Sequence, residues 1–161
     1  KRRNWNNIAN IEMYQEIFQT RPKIICPVRP VEDIVASWKS IFKDKEWSDE
    51  LLQGNVFYNS YYDLKNSFEY GYRDCFHFIE YESLVKNTQY EIKKIYEFLD
   101  IKNHKHDLTS IENRQSLKDI DTLILPGLHN IKSSIEKSTT NSKKILTKEE
   151  YEKYSKLNFW R

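Results

Sequence analysis

Lys23-Ile24-Ile25-Cys26-Pro27-Val28-Arg29-Pro30-Val31-Glu32-Asp33-Ile34-Val35-Ala36-Ser37-Trp38 reads as a buried strand that stops at an arginine and turns directly into an amphipathic helix. Pro30 suits the first helical position, and Glu32 and Asp33 suit the positive end of a helix dipole. Such a turn leaves Arg29 and Ser37 near the carboxyl edge of a sheet, where open α/β sheets bind ligands. Two readings of the pair stand side by side. Arg29 caps the helix and Ser37 is simply a small helical residue, or together they form an anion site for a phosphorylated cofactor.

Working outward, residues 5–18 carry Trp5, Ile8, Ile11, Tyr14, Ile17 and Phe18 at steps of three and four, the pattern of an amphipathic helix. Thr20-Arg21-Pro22 ends it, because the residue before a proline avoids helical dihedrals. The helix after Arg29 takes Ile34, Val35, Trp38, Ile41 and Phe42 as its buried stripe, with Ser37 inside that stripe. A buried hydroxyl needs a partner, either the carbonyl one turn back or a ligand.

A polar stretch, 44–48, leads to a long helical pattern over 49–70, rich in tyrosine, that forms core or lines an acceptor pocket. Gly71 is a good terminator for it. Cys75-Phe76-His77-Phe78-Ile79-Glu80 is apolar and too short for a helix, so we expect a second parallel strand, with Tyr81-Glu82-Ser83-Leu84 at its end. A helix over 88–99 follows, with Ile92, Ile95, Tyr96, Phe98 and Leu99 on one face.

This order gives an α/β fold with a parallel sheet flanked by helices, in one domain spanning 1–161. The segment 102–120 is irregular; His104 and His106 lack a third ligand, so no metal is expected. Residues 123–134 pass from apolar to basic. The last helix starts at Thr147 with Glu150 as its capping-box partner and Leu146 with Tyr151 as a hydrophobic staple, and Phe159-Trp160-Arg161 docks on the core. Lys1 opens the chain with no leading strand, so we expect a portion upstream.

Composition narrows the function classes. With 161 residues, 39% hydrophobic and 31% charged, the chain suits a soluble globular protein. Three glycines and four prolines are too few for a fold of many short strands and tight turns. A net charge of +2, with lysines interleaved among acids, gives no concentrated basic face, so no nucleic-acid partner is expected. No apolar run is long enough for a membrane span and no signal peptide is visible. Cys26 and Cys75 sit in apolar segments as buried thiols, which favours a reducing, cytoplasmic setting.

Two stretches together resemble the sulfotransferase superfamily, the enzymes that use 3′-phosphoadenosine 5′-phosphosulfate (PAPS). The first is Val28-Arg29-Pro30-Val31-Glu32-Asp33-Ile34-Val35-Ala36-Ser37-Trp38, where a strand ends in arginine and a serine follows eight residues later. The second is Phe78-Ile79-Glu80-Tyr81-Glu82-Ser83-Leu84 running into a helix that ends Phe98-Leu99, similar to a family strand ending Tyr-Glu-Asp-Leu, with Ser83 in the aspartate's place.

The resemblance implies a P-loop-NTPase-like architecture and PAPS as donor without a metal. It places Arg29 and Ser37 on the cofactor's 3′-phosphate and Tyr81 near its adenine. Lys132, within Gly127-Leu128-His129-Asn130-Ile131-Lys132-Ser133, would belong to a basic segment closing over the phosphates, and Lys1 would act at the transferring sulfuryl group. The general base has no assigned position; His129 is a candidate.

The family's N-terminal strand and phosphosulfate-binding loop have no counterpart in 1–161, so the fold is expected to be incomplete at its N-terminus and this fragment alone inactive. The implied reaction is sulfuryl transfer to a hydroxyl or amine acceptor: a small molecule, a carbohydrate or a protein. The rivals are a non-catalytic module that keeps the fold, and a nucleotide-kinase-like phosphotransferase with Glu80 as its magnesium-binding acid. Acceptor identity and oligomeric state have no sequence signal.

Overall fold

The computed structural model describes residues 6–41, 56–108, 135 and 141–161. In chain order the elements are α1 (Ile8–Phe18), β1 (Ile24–Val28), α2 (Val31–Ile41), α3 (Val56–Glu69), a 3-10 turn (Arg73–Cys75), β2 (Phe76–Glu80), α4 (Tyr81–Lys86), α5 (Thr88–Leu99), α6 (Ser142–Ile145) and α7 (Lys148–Ser155). Strands β1 and β2 pair in parallel, with Ile24 opposite Phe76 and Val28 opposite Glu80. Helices on a parallel pair make this an α/β arrangement, as the pattern predicts.

Local chemistry sets the boundaries. Asn7 starts α1 by accepting from the Asn10 backbone N–H at 2.9 Å, and Gln19 ends it in the left-handed region at φ 53°. Gly71, at φ 98°, turns the chain out of α3, and the 3-10 turn then delivers it to β2. Cys75 belongs to that turn, so β2 starts one residue later than expected.

Pro30 is the residue before α2, its carbonyl accepting from Asp33 and Ile34, rather than the first helical residue. At Thr147 the capping box forms as predicted, with Leu146 buried and Tyr151 packed on the same cluster. The short helices α4 and α6 carry no periodicity long enough to be read from sequence.

Among the described residues, two clusters make the core. Ile11, Cys75 and Phe76 are buried with Ile24, Cys26, Leu64, Phe68, Tyr72 and Phe78 against them, so one face of the strand pair is covered by α1 and α3. The opposite face carries His77, whose ring stacks on Phe98 of α5 at 5.2 Å between centroids.

The second cluster joins Val31, Val35 and Ala36 of α2 to Tyr61, Leu146 and Tyr154, with Leu157, Phe159 and Trp160 packed against it. Phe159 bridges the two, its ring 5.4 Å from Tyr61, 5.7 Å from Phe68 and 6.0 Å from Phe78. The chain's last residues therefore dock on the core as expected.

Three expected faces are corrected. Of the expected α2 stripe Val35 is buried, but Ile34 and Trp38 are only half-buried and Ile41 is exposed; Val31 and Ala36 are buried instead, because α6 and α7 cover that side. On α1 only Ile11 is buried, while Tyr14, Ile17 and Phe18 are exposed. On α3, Tyr61 is buried but Tyr62 is exposed, as is Tyr70 just after the helix. Trp5, Phe42, the polar stretch 44–48, the helix start at 49–55 and the segment 123–134 lie outside the described residues.

Candidate functional site

The site lies where the two strands end. Val28 and Glu80 are paired, so Arg29 and Tyr81 leave neighbouring strands side by side at the carboxyl edge. Side chains alternate along a strand. Ile24 and Cys26 pack with Phe76 and Phe78, so the intervening positions, continued by Arg29 and Tyr81, point the other way. The Arg29 guanidinium carbon stands 5.7 Å from the centroid of the Tyr81 ring, within cation–π range. Both residues are half-buried. Two of the sequence-predicted site residues, separated by fifty-two positions, are thus in direct contact.

Ser37 is the third. It sits about 9 Å along α2 from Val31, at 1.5 Å per residue. Being two residues from both Val35 and Lys39, it projects about 200° round the helix from them, away from α6 and α7. It is half-buried rather than inside the buried stripe. The back-bond to a carbonyl one turn earlier is made instead by Ser40, whose Oγ donates to Ala36 O at 2.9 Å. Among the described residues Ser37 Oγ has no hydrogen-bond partner. Lys1, Lys132 and the candidate base His129 lie outside the described residues.

The C-terminal segment adds residues that the sequence did not single out. The Val31 backbone N–H, an orphan donor at the start of α2, donates to Asn158 Oδ1 at 2.9 Å. Asn158 Nδ2 donates to Glu32 Oε2 at 2.9 Å and to Ser155 O at 3.0 Å. Arg161 donates from Nε and Nη2 to Glu80 Oε1 and Oε2 at 2.8 and 3.0 Å, a two-pronged charged pair.

That fork holds the Glu80 carboxyl below the usual carboxylate range, burial opposing the effect, and it raises the Arg161 guanidinium. The one available signal was Glu80 itself, an acid ending an apolar strand with no basic residue beside it in sequence. Arg161 thus engages both oxygens of Glu80, the acid that the kinase-like rival would need for magnesium.

Elsewhere, Tyr96 OH and His106 Nε2 are 3.0 Å apart and the His104 and His106 rings meet edge to face at 5.1 Å. No group of three or more His, Cys, Asp or Glu able to hold a metal ion is found among the described residues. No described helix is long and apolar enough to cross a membrane.

A family model described as a sulfotransferase domain matches residues 10–159. The chain belongs to that family. The match takes in both strand ends, α2 with Ser37, and Asn158. The helices and the parallel strand pair fit the α/β fold of a sulfotransferase domain. No solved structure matches the chain.

Proposed function

We propose that this protein transfers a sulfuryl group from PAPS to a hydroxyl or amine acceptor, a small molecule, a carbohydrate or a protein, and that 1–161 forms a single sulfotransferase-like domain acting in the cytoplasm. The observation that carries the reading is the Arg29–Tyr81 contact at the carboxyl edge of the parallel strands, inside a sulfotransferase-family chain.

The residues present suit the donor's 3′-phosphoadenosine half. A guanidinium supplies forked donors for a phosphate, a half-buried tyrosine ring supplies a face for adenine, and the Ser37 hydroxyl has a donor to give. When bound, PAPS supplies the activated sulfuryl group. The chain's part is to neutralise the 3′-phosphate with Arg29, add the Ser37 hydrogen bond, and orient the nucleotide beside Tyr81, so that donor and acceptor meet in line. By family resemblance Lys132 adds a cation over the phosphates and Lys1 stabilises the leaving oxygen.

Calorimetric titration of adenosine 3′,5′-bisphosphate tests the reading. Arg29→Ala loses a charged hydrogen-bonding group, about 1.5–3 kcal/mol or roughly 10- to 150-fold in affinity. Ser37→Ala loses a neutral hydrogen bond, about 0.5–1.5 kcal/mol. Binding by the unaltered protein that Arg29→Ala leaves unchanged refutes the assignment. Absence of binding both by this chain and by one extended upstream favours the non-catalytic module.

A further inference from the structure

Residues 158–161 reach the ends of both strands, close to each member of the Arg29–Tyr81 pair. On the β1 side, Asn158 accepts from Val31, two residues beyond Arg29, and donates to the buried Glu32. With its acceptor and both donor hydrogens engaged, the Asn158 amide has one orientation. On the β2 side, Arg161 grips Glu80, the residue immediately before Tyr81.

Glu80 is also the residue before α4, and its carboxylate does not cap that helix. The start of α4, where Tyr81 sits, is therefore held through Arg161. Between the two anchors, Phe159 and Trp160 pack on Phe78, their rings 6.0 and 6.4 Å from it, so the segment is fixed to β2 itself.

We propose that Asn158 and Arg161 are positioning residues that hold Arg29 against Tyr81. This rests on the nucleotide site proposed above and extends it to the C-terminal segment. The exposures favour a role in position over one in stability. Arg161 and Glu80 side chains are 47% and 32% exposed, and charge pairs of that kind add little to folding energy. Their two-pronged geometry nonetheless fixes one orientation. Truncating Asn158 strands the Val31 N–H at a site only 1% exposed and removes the donor from Glu32, so the start of α2 must move or admit water.

The contact can be read without any ligand. Because the Arg29 guanidinium stands over the Tyr81 ring, its Nε–H resonance in an NMR spectrum should be shifted upfield, and Tyr81→Leu should remove that shift as a control. We expect Arg161→Ala and Asn158→Ala to remove most of it while circular dichroism stays native. Arg161→Lys, with the charge but not the fork, should recover part.

Adenosine 3′,5′-bisphosphate should bind Arg161→Ala roughly 3- to 30-fold more weakly, the range for residues acting through an intermediary. The double variant Arg29→Ala/Arg161→Ala should bind no more weakly than Arg29→Ala alone. If Arg161→Ala fails to fold, Arg161→Lys and Glu80→Gln replace it.

An unchanged ring shift in the folded variants overturns the inference, whatever the nucleotide does. A lost shift with unchanged nucleotide affinity overturns the positioning role. An intact shift in an unaltered protein that binds no nucleotide overturns the functional reading, and the role of Asn158 and Arg161 in nucleotide binding falls with it.

Discussion

Glu150 offers a prediction whose parts can be separated. Its carboxylate accepts from the Thr147 backbone N–H at 2.8 Å, closing the capping box of α7. It also accepts from Lys39 Nζ at 2.7 and 2.8 Å, tying α7 to α2, the helix that carries Ser37. Glu150→Gln keeps an acceptor for the cap and removes the charge. The Lys39 and Glu150 side chains are 30% and 24% exposed, so their attraction is partly screened, and we expect a loss of about 0.5–1 kcal/mol. Glu150→Ala removes the capping partner too, for about 1.5–2 kcal/mol in all.

Urea denaturation followed by circular dichroism measures both variants, and a double-mutant cycle with Lys39→Met isolates the ion pair. Burial pushes the Glu150 carboxyl up, but hydrogen bonds from Lys39 and Thr147 outweigh it and hold the group below its ordinary 4.5. A carboxyl depressed on folding contributes stability that is complete above its unfolded value and lost as pH falls through the folded one. The gap between the protein and Glu150→Gln should therefore be full at neutral pH and close below about pH 4. A coupling energy of zero with Lys39→Met, or a gap independent of pH down to acid, refutes the assignment.

Two further outcomes follow from the core and the turns. Burial pushes the Cys26 thiol up to about 12, and Cys75 is only 1% exposed. Neither should react with a disulfide reagent at neutral pH until the protein is unfolded, as thiol titration with and without denaturant will report. At Gly71, φ is +98° and a Cβ would meet nothing within 4 Å, so Gly71→Ala should cost only the backbone penalty, about 1 kcal/mol in a urea melt. A cost several times larger would mean that side-chain packing, not dihedral angle, selects glycine there.

What was legible in the sequence was what is decided locally. The strand 24–28 runs straight into a helix, Thr147 and Glu150 form a capping box, and Gly71 ends α3, because each depends on residues within a turn of one another. The parallel pairing was legible too, since helices before and after an apolar run leave few other topologies.

The faces of the helices were not. Nothing within α2 says that Val31 and Ala36 will be buried in preference to Ile34 and Trp38; that is decided by Leu146 and Tyr154, more than a hundred residues away. The site divides in the same way. Arg29 and Tyr81 could be named from how their strands end, whereas Asn158 and Arg161 could not, because their partners Val31, Glu32 and Glu80 are reached only through the folded chain.

The charges at the strand ends explain why that distant segment matters. Arg29 and Glu80 carry opposite charges at the carboxyl edge of adjacent strands. Alternation sends Arg29 and Glu80 to opposite faces of the pair, and Arg161 occupies both Glu80 oxygens, so the acid is neutralised on its own side. The Arg29 guanidinium rests against the Tyr81 ring, 5.7 Å from its centroid. The C-terminal segment thus joins the two strand ends from one face, through Glu80, while the Arg29–Tyr81 contact joins them on the other face of the described strand pair.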